Sequence, residues 1–168
     1  HTIWGALTAF FPLYAIDQGV SNPGLFFGAY AIVLILGRGL GGRIVDLYSR
    51  ETILLPCLAS YVVGMMVLVF SKTLPMFIVV AVIAGAGHAF LMPCLMAYAI
   101  DLAGASRGPA MGITAAMGDL GMAVGPMLMG IILRVANFPI MFMSVALISL
   151  INFIYFYLVV KKGRKGTA

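Results

Sequence analysis

Charged residues are scarce in this sequence. Only 9% of its 168 residues are charged, ten of them basic and five acidic, whereas 63% are hydrophobic. A soluble domain carries about 25% charged residues and uses them to cover its surface. The mean hydropathy of +1.13 is far too high for such a domain. The scarcity of charge therefore excludes a water-soluble enzyme and indicates a protein that lies in a lipid bilayer.

Cysteine and histidine are scarce too, with two residues of each. Cys57 and Cys94 lie in apolar runs, without CxxC spacing or a paired His. We therefore expect two buried thiols, and no disulfide framework, metal site or cofactor. The net charge of +5 is scattered between apolar runs and is clustered only at residues 161–165, so we expect no nucleic-acid partner.

Long apolar runs are what the sequence does contain. A helix needs about 20 apolar residues to cross the hydrocarbon core of a membrane. Six runs qualify, separated by short polar turns, at about 2–18, 23–42, 52–70, 75–100, 108–133 and 138–160. The sequence predicts an all-α integral membrane protein, with a six-helix transmembrane bundle in residues 1–160 and a basic cytoplasmic tail in residues 161–168. Because residue 1 already lies in an apolar run, we expect the chain to be part of something larger.

The basic residues between the runs predict the orientation. One side of the bundle carries seven of them, and the other carries Lys72 and Arg134. The seven are Arg43, Arg50, Arg107, Lys161, Lys162, Arg164 and Lys165. Since cytoplasmic loops are enriched in Lys and Arg, we expect both ends of the chain in the cytoplasm, at a plasma membrane or bacterial inner membrane.

Two motifs typical of soluble enzymes occur in the wrong context. Gly37, Gly39 and Gly42 have the GxGxxG spacing of a dinucleotide-binding turn, but they end a membrane span. The acid that follows, Asp46, is too close to be the ribose-binding acid expected about 20 residues downstream. Gly37 and Gly41 instead form a GxxxG pair that lets two helices approach closely.

The second motif is the GxSxG pattern at residues 104–108. A nucleophile elbow connects a strand to a helix and is followed by Asp and His, whereas this pattern lies between two membrane spans and no His follows it. An intramembrane enzyme would need a nucleophile and a base at one depth, which Ser106 and His88 do not provide. We expect that the protein is not an enzyme.

The loop after the second span resembles a motif of the major facilitator superfamily of secondary transporters. That motif runs roughly Gly-x-Leu-small-Asp-basic-aromatic-Gly-Arg-basic. The positions that match it are Gly42, Asp46, Tyr48 and Arg50, and those that depart from it are Leu47, Ser49 and Glu51.

The fifth span resembles the same family. Its Gly-Pro pattern consists of Gly112, Gly121, Gly125, Pro126 and Gly130. Residues 118–126 resemble the eleventh helix of many small-solute members. The fourth helix of an N-terminal half carries an Arg near its start in this family, whereas residues 81–95 have no basic residue except His88. The resemblance implies the C-terminal six-helix half, helices seven to twelve. The N-terminal half is the alternative, because the Gly-Pro motif is best known there.

This resemblance implies secondary active transport of a small solute by alternating access, driven by an ion gradient. The partners it implies are a coupling proton or cation, the lipid bilayer and a complementary six-helix half that is absent from this chain. A half-size transporter that dimerises is an alternative, as is a membrane scaffold or receptor that does not transport.

Two ionisable residues lie deep in the predicted spans. Asp119 lies about 16 Å along the fifth span, near the midplane, and His88 lies at a similar depth in the fourth. Ionisable groups at this depth are costly and mark functional sites or structural pairs. Asp119 is a candidate proton or substrate-cation site, or else a clasp to a neighbouring helix. His88 is a candidate hydrogen-bonding group of the cavity or proton relay, or else an interhelical contact.

Further candidates are predicted by residue type. Tyr30, Thr114, Tyr14 and Trp4 are candidates for lining a substrate cavity, although aromatic residues in membrane spans also pack or form interface belts. The candidates for a cytoplasmic gate are Arg38, Gly42, Asp46 and Arg50, in which the arginines hold the carboxylate of Asp46. We expect Gly121 and Gly125 to face the missing half.

Overall fold

The computed structural model describes residues 1–104 and 106–165, and their side chains except those of residues 40–47 and 160–165. The described chain is all-α and has six helices, which confirms the predicted class. They are α1 Thr2–Asp17, α2 Gly24–Leu47, α3 Arg50–Phe70, α4 Leu74–Ala103, α5 Arg107–Val135 and α6 Phe138–Lys165.

The helices differ in length from the apolar runs that predicted them. The second helix continues to Leu47, past the predicted end at residue 42. The sixth helix includes residues 161–165, which were predicted to belong to the basic tail. Apolar runs end where the bilayer would end, but a helix continues until a residue breaks it. The turn between α2 and α3 is therefore reduced to Tyr48 and Ser49.

Four helices of the described residues are long and apolar enough to cross a membrane, namely α3, α4, α5 and the part of α6 that ends at Val159. The described apolar part of α2, Gly24–Gly39, is shorter. Helix α1 has 16 residues, or about 24 Å, which is less than the roughly 30 Å of a hydrocarbon core. Four helices of the described residues therefore support an integral membrane protein, and the six predicted spans remain a prediction.

Two of the helix contacts correspond to each other when the halves of the chain are compared. Helix α3 packs between α4 and α6, α2 packs on α4, and α1 packs on α5. When the first three helices are matched in order with the last three, α1 corresponds to α4 and α2 to α5. The contact of α1 with α5 then corresponds to that of α4 with α2. The correspondence is incomplete, because α3 packs extensively on α4 whereas α6 meets α1 only slightly.

Two hydrophobic clusters hold the bundle together. The larger cluster joins α1, α2, α4 and α6 through aromatic side chains, including Phe11 and Phe26, whose ring centroids are 3.8 Å apart. The smaller cluster joins α3 and α4 through Ile53, Leu54 and the two buried thiols. The prediction that Cys57 and Cys94 are buried is confirmed.

The two motifs typical of soluble enzymes lie in or beside helices, and no strand precedes either of them in the described part of the chain. Gly37, Gly39 and Gly42 lie inside α2, Gly104 follows the last residue of α4, and Ser106 precedes the first residue of α5. A Cβ added at Gly37 would lie 2.6 Å from the Cβ of Ala89, so this glycine allows α2 and α4 to approach closely, as predicted. Gly41, the other member of the pair, lies outside the described side chains.

The expectation that Gly121 and Gly125 face a missing half is wrong. A Cβ added at Gly121 would lie 3.0 Å from Cβ of His1, and one added at Gly125 would collide with the carbonyl oxygen of Thr2. Glycine at these positions lets α5 pack against the start of α1 within the same bundle.

Candidate functional site

Two glycines bring α4 close to its neighbours on either side of His88. A Cβ added at Gly85 would lie 3.2 Å from Val33 on α2, and one added at Gly87 would lie 2.7 Å from the carbonyl oxygen of Cys57 on α3. A side chain at Gly87 would push α3 and α4 apart, and one at Gly85 would require the side chain of Val33 to shift. The Gly-Ala-Gly-His sequence therefore places His88 within reach of both α2 and α3.

His88 is part of a hydrogen-bonded group formed by three helices. The hydroxyl of Tyr30 lies 2.7 Å from Nδ1 of His88 and 3.0 Å from the hydroxyl of Tyr61. Both tyrosines are buried, and His88 is partly buried. The indole of Trp4 stacks on Tyr30, with ring centroids 4.7 Å apart, and meets His88 edge-on at 5.1 Å. We call Trp4, Tyr30, Tyr61 and His88 the aromatic-histidine cluster.

The tautomer of His88 depends on the direction of these two hydrogen bonds. If Tyr61 donates to Tyr30 and Tyr30 donates to Nδ1, both buried hydroxyl hydrogens have acceptors. If the direction is reversed, the hydroxyl hydrogen of Tyr61 has no acceptor among the described residues. The first arrangement satisfies both hydroxyls within the described residues, and in a neutral imidazole it puts the hydrogen on Nε2.

A cavity of about 60 Å³ adjoins this cluster. It lies between α1, α3, α4 and α6, and Trp4, Tyr61, His88 and Ser149 are among the residues that line it. His1 and Asn152 also line it and are exposed, so they mark its open side. The remaining walls are apolar, formed by Ile3, Leu58, Leu91, Met92 and Leu95.

Asp119 lies on the surface of α5 and does not line the cavity beside the aromatic-histidine cluster. Its side chain is exposed, and it has no hydrogen bond or ion pair with any described residue. Gly118, directly before it, packs against the ring of His1, which is one of the residues that line the cavity. The described residues give no support to the alternative that Asp119 clasps a helix of its own bundle.

Two other candidates for a substrate cavity lie apart from these groups. The hydroxyl of Thr114 donates to the carbonyl oxygen of Ala110 at 2.8 Å, within α5. The hydroxyl of Tyr14 donates to the carbonyl oxygen of Ser71 at 2.8 Å, and its ring packs with Phe77 and Phe142 in the larger hydrophobic cluster. Tyr14 thus joins the start of the loop after α3 to the core.

At the other end of the bundle, Arg50 pairs with an acid that the sequence did not single out. Nε of Arg50 lies 3.5 Å from the carboxylate of Asp101, so the start of α3 is linked to the end of α4. Arg38 is exposed on α2. The side chains of Gly42 and Asp46 lie outside the described part, and the proposed contacts of Asp46 with Arg38 and Arg50 remain a prediction.

Sequence reasoning missed Tyr61, Ser149 and Asp101. Tyr61 and Ser149 are ordinary residues of apolar spans, and no local pattern predicts that they meet His88 or its cavity. A signal did exist for Asp101, since it is one of only five acids and lies at the same predicted membrane face as Arg50.

Comparison with known proteins points to one family. The profile described as Major Facilitator Superfamily matches residues 1–168, which is the whole chain. The staphylopine export protein of Staphylococcus aureus is 26% identical over 161 residues, covering 93% of this chain and 41% of that protein. A protein of Mycolicibacterium smegmatis described as a triacylglyceride transporter is 33% identical over 99 residues, covering 58% of this chain and 18% of its own length.

This chain therefore aligns with less than half of either relative. No solved structure matches it.

Proposed function

The chain belongs to the major facilitator superfamily, and on that premise we propose that it forms one six-helix half of a secondary transporter that moves a small solute by alternating access. Transport itself follows from the family and from relatives named as transporters, and it is a non-enzymatic activity. An ion gradient would supply the energy. The complementary half would be a second bundle that rocks against this one around a site at the midplane.

The observation that carries the proposal is the exposed carboxylate of Asp119. It lies about 18 Å along α5, in a helix that is long and apolar enough to span the membrane. A carboxylate in contact with lipid at this depth is costly, and such groups nearly always face the interior of a bundle or a water-filled cavity. Since the described bundle does not cover Asp119, we propose that the complementary half does.

The other candidates are distributed around this site. We propose that Asp119 carries the coupling proton or cation, and that Thr114 lies on the same helix at the edge of the pathway. The aromatic-histidine cluster supplies an indole face and hydrogen-bonding groups to the solute. Tyr14, which the core buries, would support the bundle from the packed side.

We also propose that the cytoplasmic gate includes Asp101. Arg50 at the start of α3 is held by Asp101, and it would in turn position Asp46 together with Arg38. Gly42 would allow the turn to lie close to the opposite bundle. A carboxylate at the position of Asp46 can dock against the positive end of a helix, an attraction of about 0.3 to 2 kcal/mol.

The test uses the full-length protein in sealed proteoliposomes with a pH-sensitive dye inside. A panel of sugars, organic acids, drugs and metal chelates is added, and solute-dependent proton movement is recorded. We expect at least one class of solute to cause proton movement in the wild type. Asp119→Asn should reduce this proton movement at least tenfold without changing the melting temperature. Asp17→Asn is the matched control, because Asp17 is exposed at the end of α1.

Proton movement retained in Asp119→Asn would refute its role in proton coupling. A radiolabelled member of the panel that accumulates without proton movement would indicate another ion or a uniporter. If no solute moves and none raises the melting temperature, the scaffold or receptor alternative is favoured over transport.

A further inference from the structure

The cavity beside His88 contains a buried polar atom that has no partner. Ser149 is 1% exposed, and its Oγ accepts and donates no hydrogen bond within the described structure. Several small hydroxyls in these helices bond to a carbonyl oxygen four residues earlier, as Ser144 does to Ile140 on the same helix at 3.0 Å. The hydroxyl of Ser149 forgoes this bond although it lies in a regular helix.

An unsatisfied hydroxyl at a fully buried position is costly, and buried polar groups nearly always find a partner. Ser149 lines the cavity together with His88, Tyr61 and Asn152. Each of these can offer a hydrogen-bonding group to the cavity. Nε2 is the ring nitrogen of His88 that Tyr30 leaves unused. The amide nitrogen of Asn152 donates to the carbonyl oxygen of Ile148, and no described residue donates to the side-chain oxygen of Asn152.

No direct hydrogen bond joins Ser149 to these groups, so a bridging molecule would be needed to connect them. A cavity needs about 10 to 15 Å³ to hold one water molecule and two to four polar partners to retain it. This cavity has about 60 Å³ and the required partners. Its exposed lining residues, His1 and Asn152, provide an entry path.

We propose that this cavity is a hydration site, in which one or more ordered water molecules bridge Oγ of Ser149 on α6 to Nε2 of His88 on α4. The bridge extends the chain from Tyr61 through Tyr30 to His88 and connects α2, α3, α4 and α6 by hydrogen bonds within one bundle. A neutral His88 that donates at Nε2 and accepts at Nδ1 is thereby held in one orientation. This inference concerns the bundle without solute, whereas the proposed function places a solute against the same cluster, so melting temperatures measured without solute test it separately from transport.

The test compares melting temperatures of the full-length protein in detergent. In a hydrated site, Ser149→Ala removes a hydrogen bond to water and lowers the melting temperature by about 2 to 4 °C. In a dry site the same change removes an unsatisfied hydroxyl and raises the melting temperature or leaves it unchanged. Ser144→Ala is the matched control, since Ser144 lies on the same helix and bonds only to its own backbone.

Ser149→Val separates the two cases again. Its extra methyl groups displace water from a hydrated site and lower the melting temperature further, whereas they fill and stabilise a dry one. A double-mutant cycle with His88→Leu gives a third readout. We expect Ser149→Ala to have less than half its effect when His88 is already replaced. Full additivity, or stabilisation by Ala or Val, would overturn the hydration site.

Discussion

At the scale of single residues, the hydroxyl of Tyr30 has the largest structural role in the candidate site. It is the shared partner of Tyr61 and His88, at 3.0 and 2.7 Å. Removing it by Tyr30→Phe leaves a buried hydroxyl and a ring nitrogen without a partner. We expect the protein to lose about 1 to 3 kcal/mol of stability, measured as a lower melting temperature in detergent.

The control for this change is Tyr98→Phe. Tyr98 is a half-buried tyrosine of the smaller hydrophobic cluster, and its hydroxyl has no hydrogen bond with any described residue. The same chemical deletion should therefore cost much less there. Equal melting temperatures for the two variants would show that the Tyr30 hydroxyl does not hold the cluster together.

At the scale of helices, glycines decide which helices meet. On α5, Gly125 packs against the backbone of Thr2, while a Cβ at Gly112 would have no atom within 4 Å. Gly→Ala inside a helix normally stabilises it by about 1 kcal/mol. We expect Gly112→Ala to raise the melting temperature slightly, and Gly125→Ala to lower it because the new methyl group forces α1 and α5 apart.

The opposite signs on one helix make this prediction specific. Melting curves and the yield of folded protein from detergent extraction are the measurements. Stabilisation by both substitutions would mean that α1 and α5 are not in close contact at Gly125, and the helix pairing would have to be revised.

At the scale of the whole molecule, we predict that both ends of the chain lie in the cytoplasm. Lys72, in the connection between α3 and α4, would then be outside, and Arg107, at the start of α5, would be inside. Both side chains are exposed, and the two natural cysteines are buried. In intact cells, an impermeant maleimide should label Lys72→Cys and should not label Arg107→Cys until the cells are opened.

The reverse labelling pattern would invert the topology and would place Arg50 and Asp101 outside the cytoplasm. Equal labelling of both positions in sealed cells would contradict a single orientation. The wild-type protein serves as the control for background reaction with Cys57 and Cys94.

The sequence by itself determined the class of the protein. Low charge and apolar runs of about 20 residues are sufficient to predict membrane helices. In a bilayer every backbone polar group needs a hydrogen-bond partner within the protein, and only helices and closed β-barrels provide one for each group. Local sequence also identified His88 and Asp119 as candidates, since ionisable residues are rare at that depth. The close approach of α2 and α4 at Gly37 was also predictable from local sequence, because a glycine within a membrane span lets a neighbouring helix come close.

Only the tertiary structure decided which residues act together. Tyr30, Tyr61 and His88 lie on three helices and are separated by up to 58 positions in the chain, so no spacing rule relates them. Whether a glycine faces its own bundle or another depends on helix rotation, and for this reason Gly121 and Gly125 were assigned to the wrong interface. The same holds for Ser149, because a hydroxyl becomes an unsatisfied group at a cavity only when four helices have enclosed it.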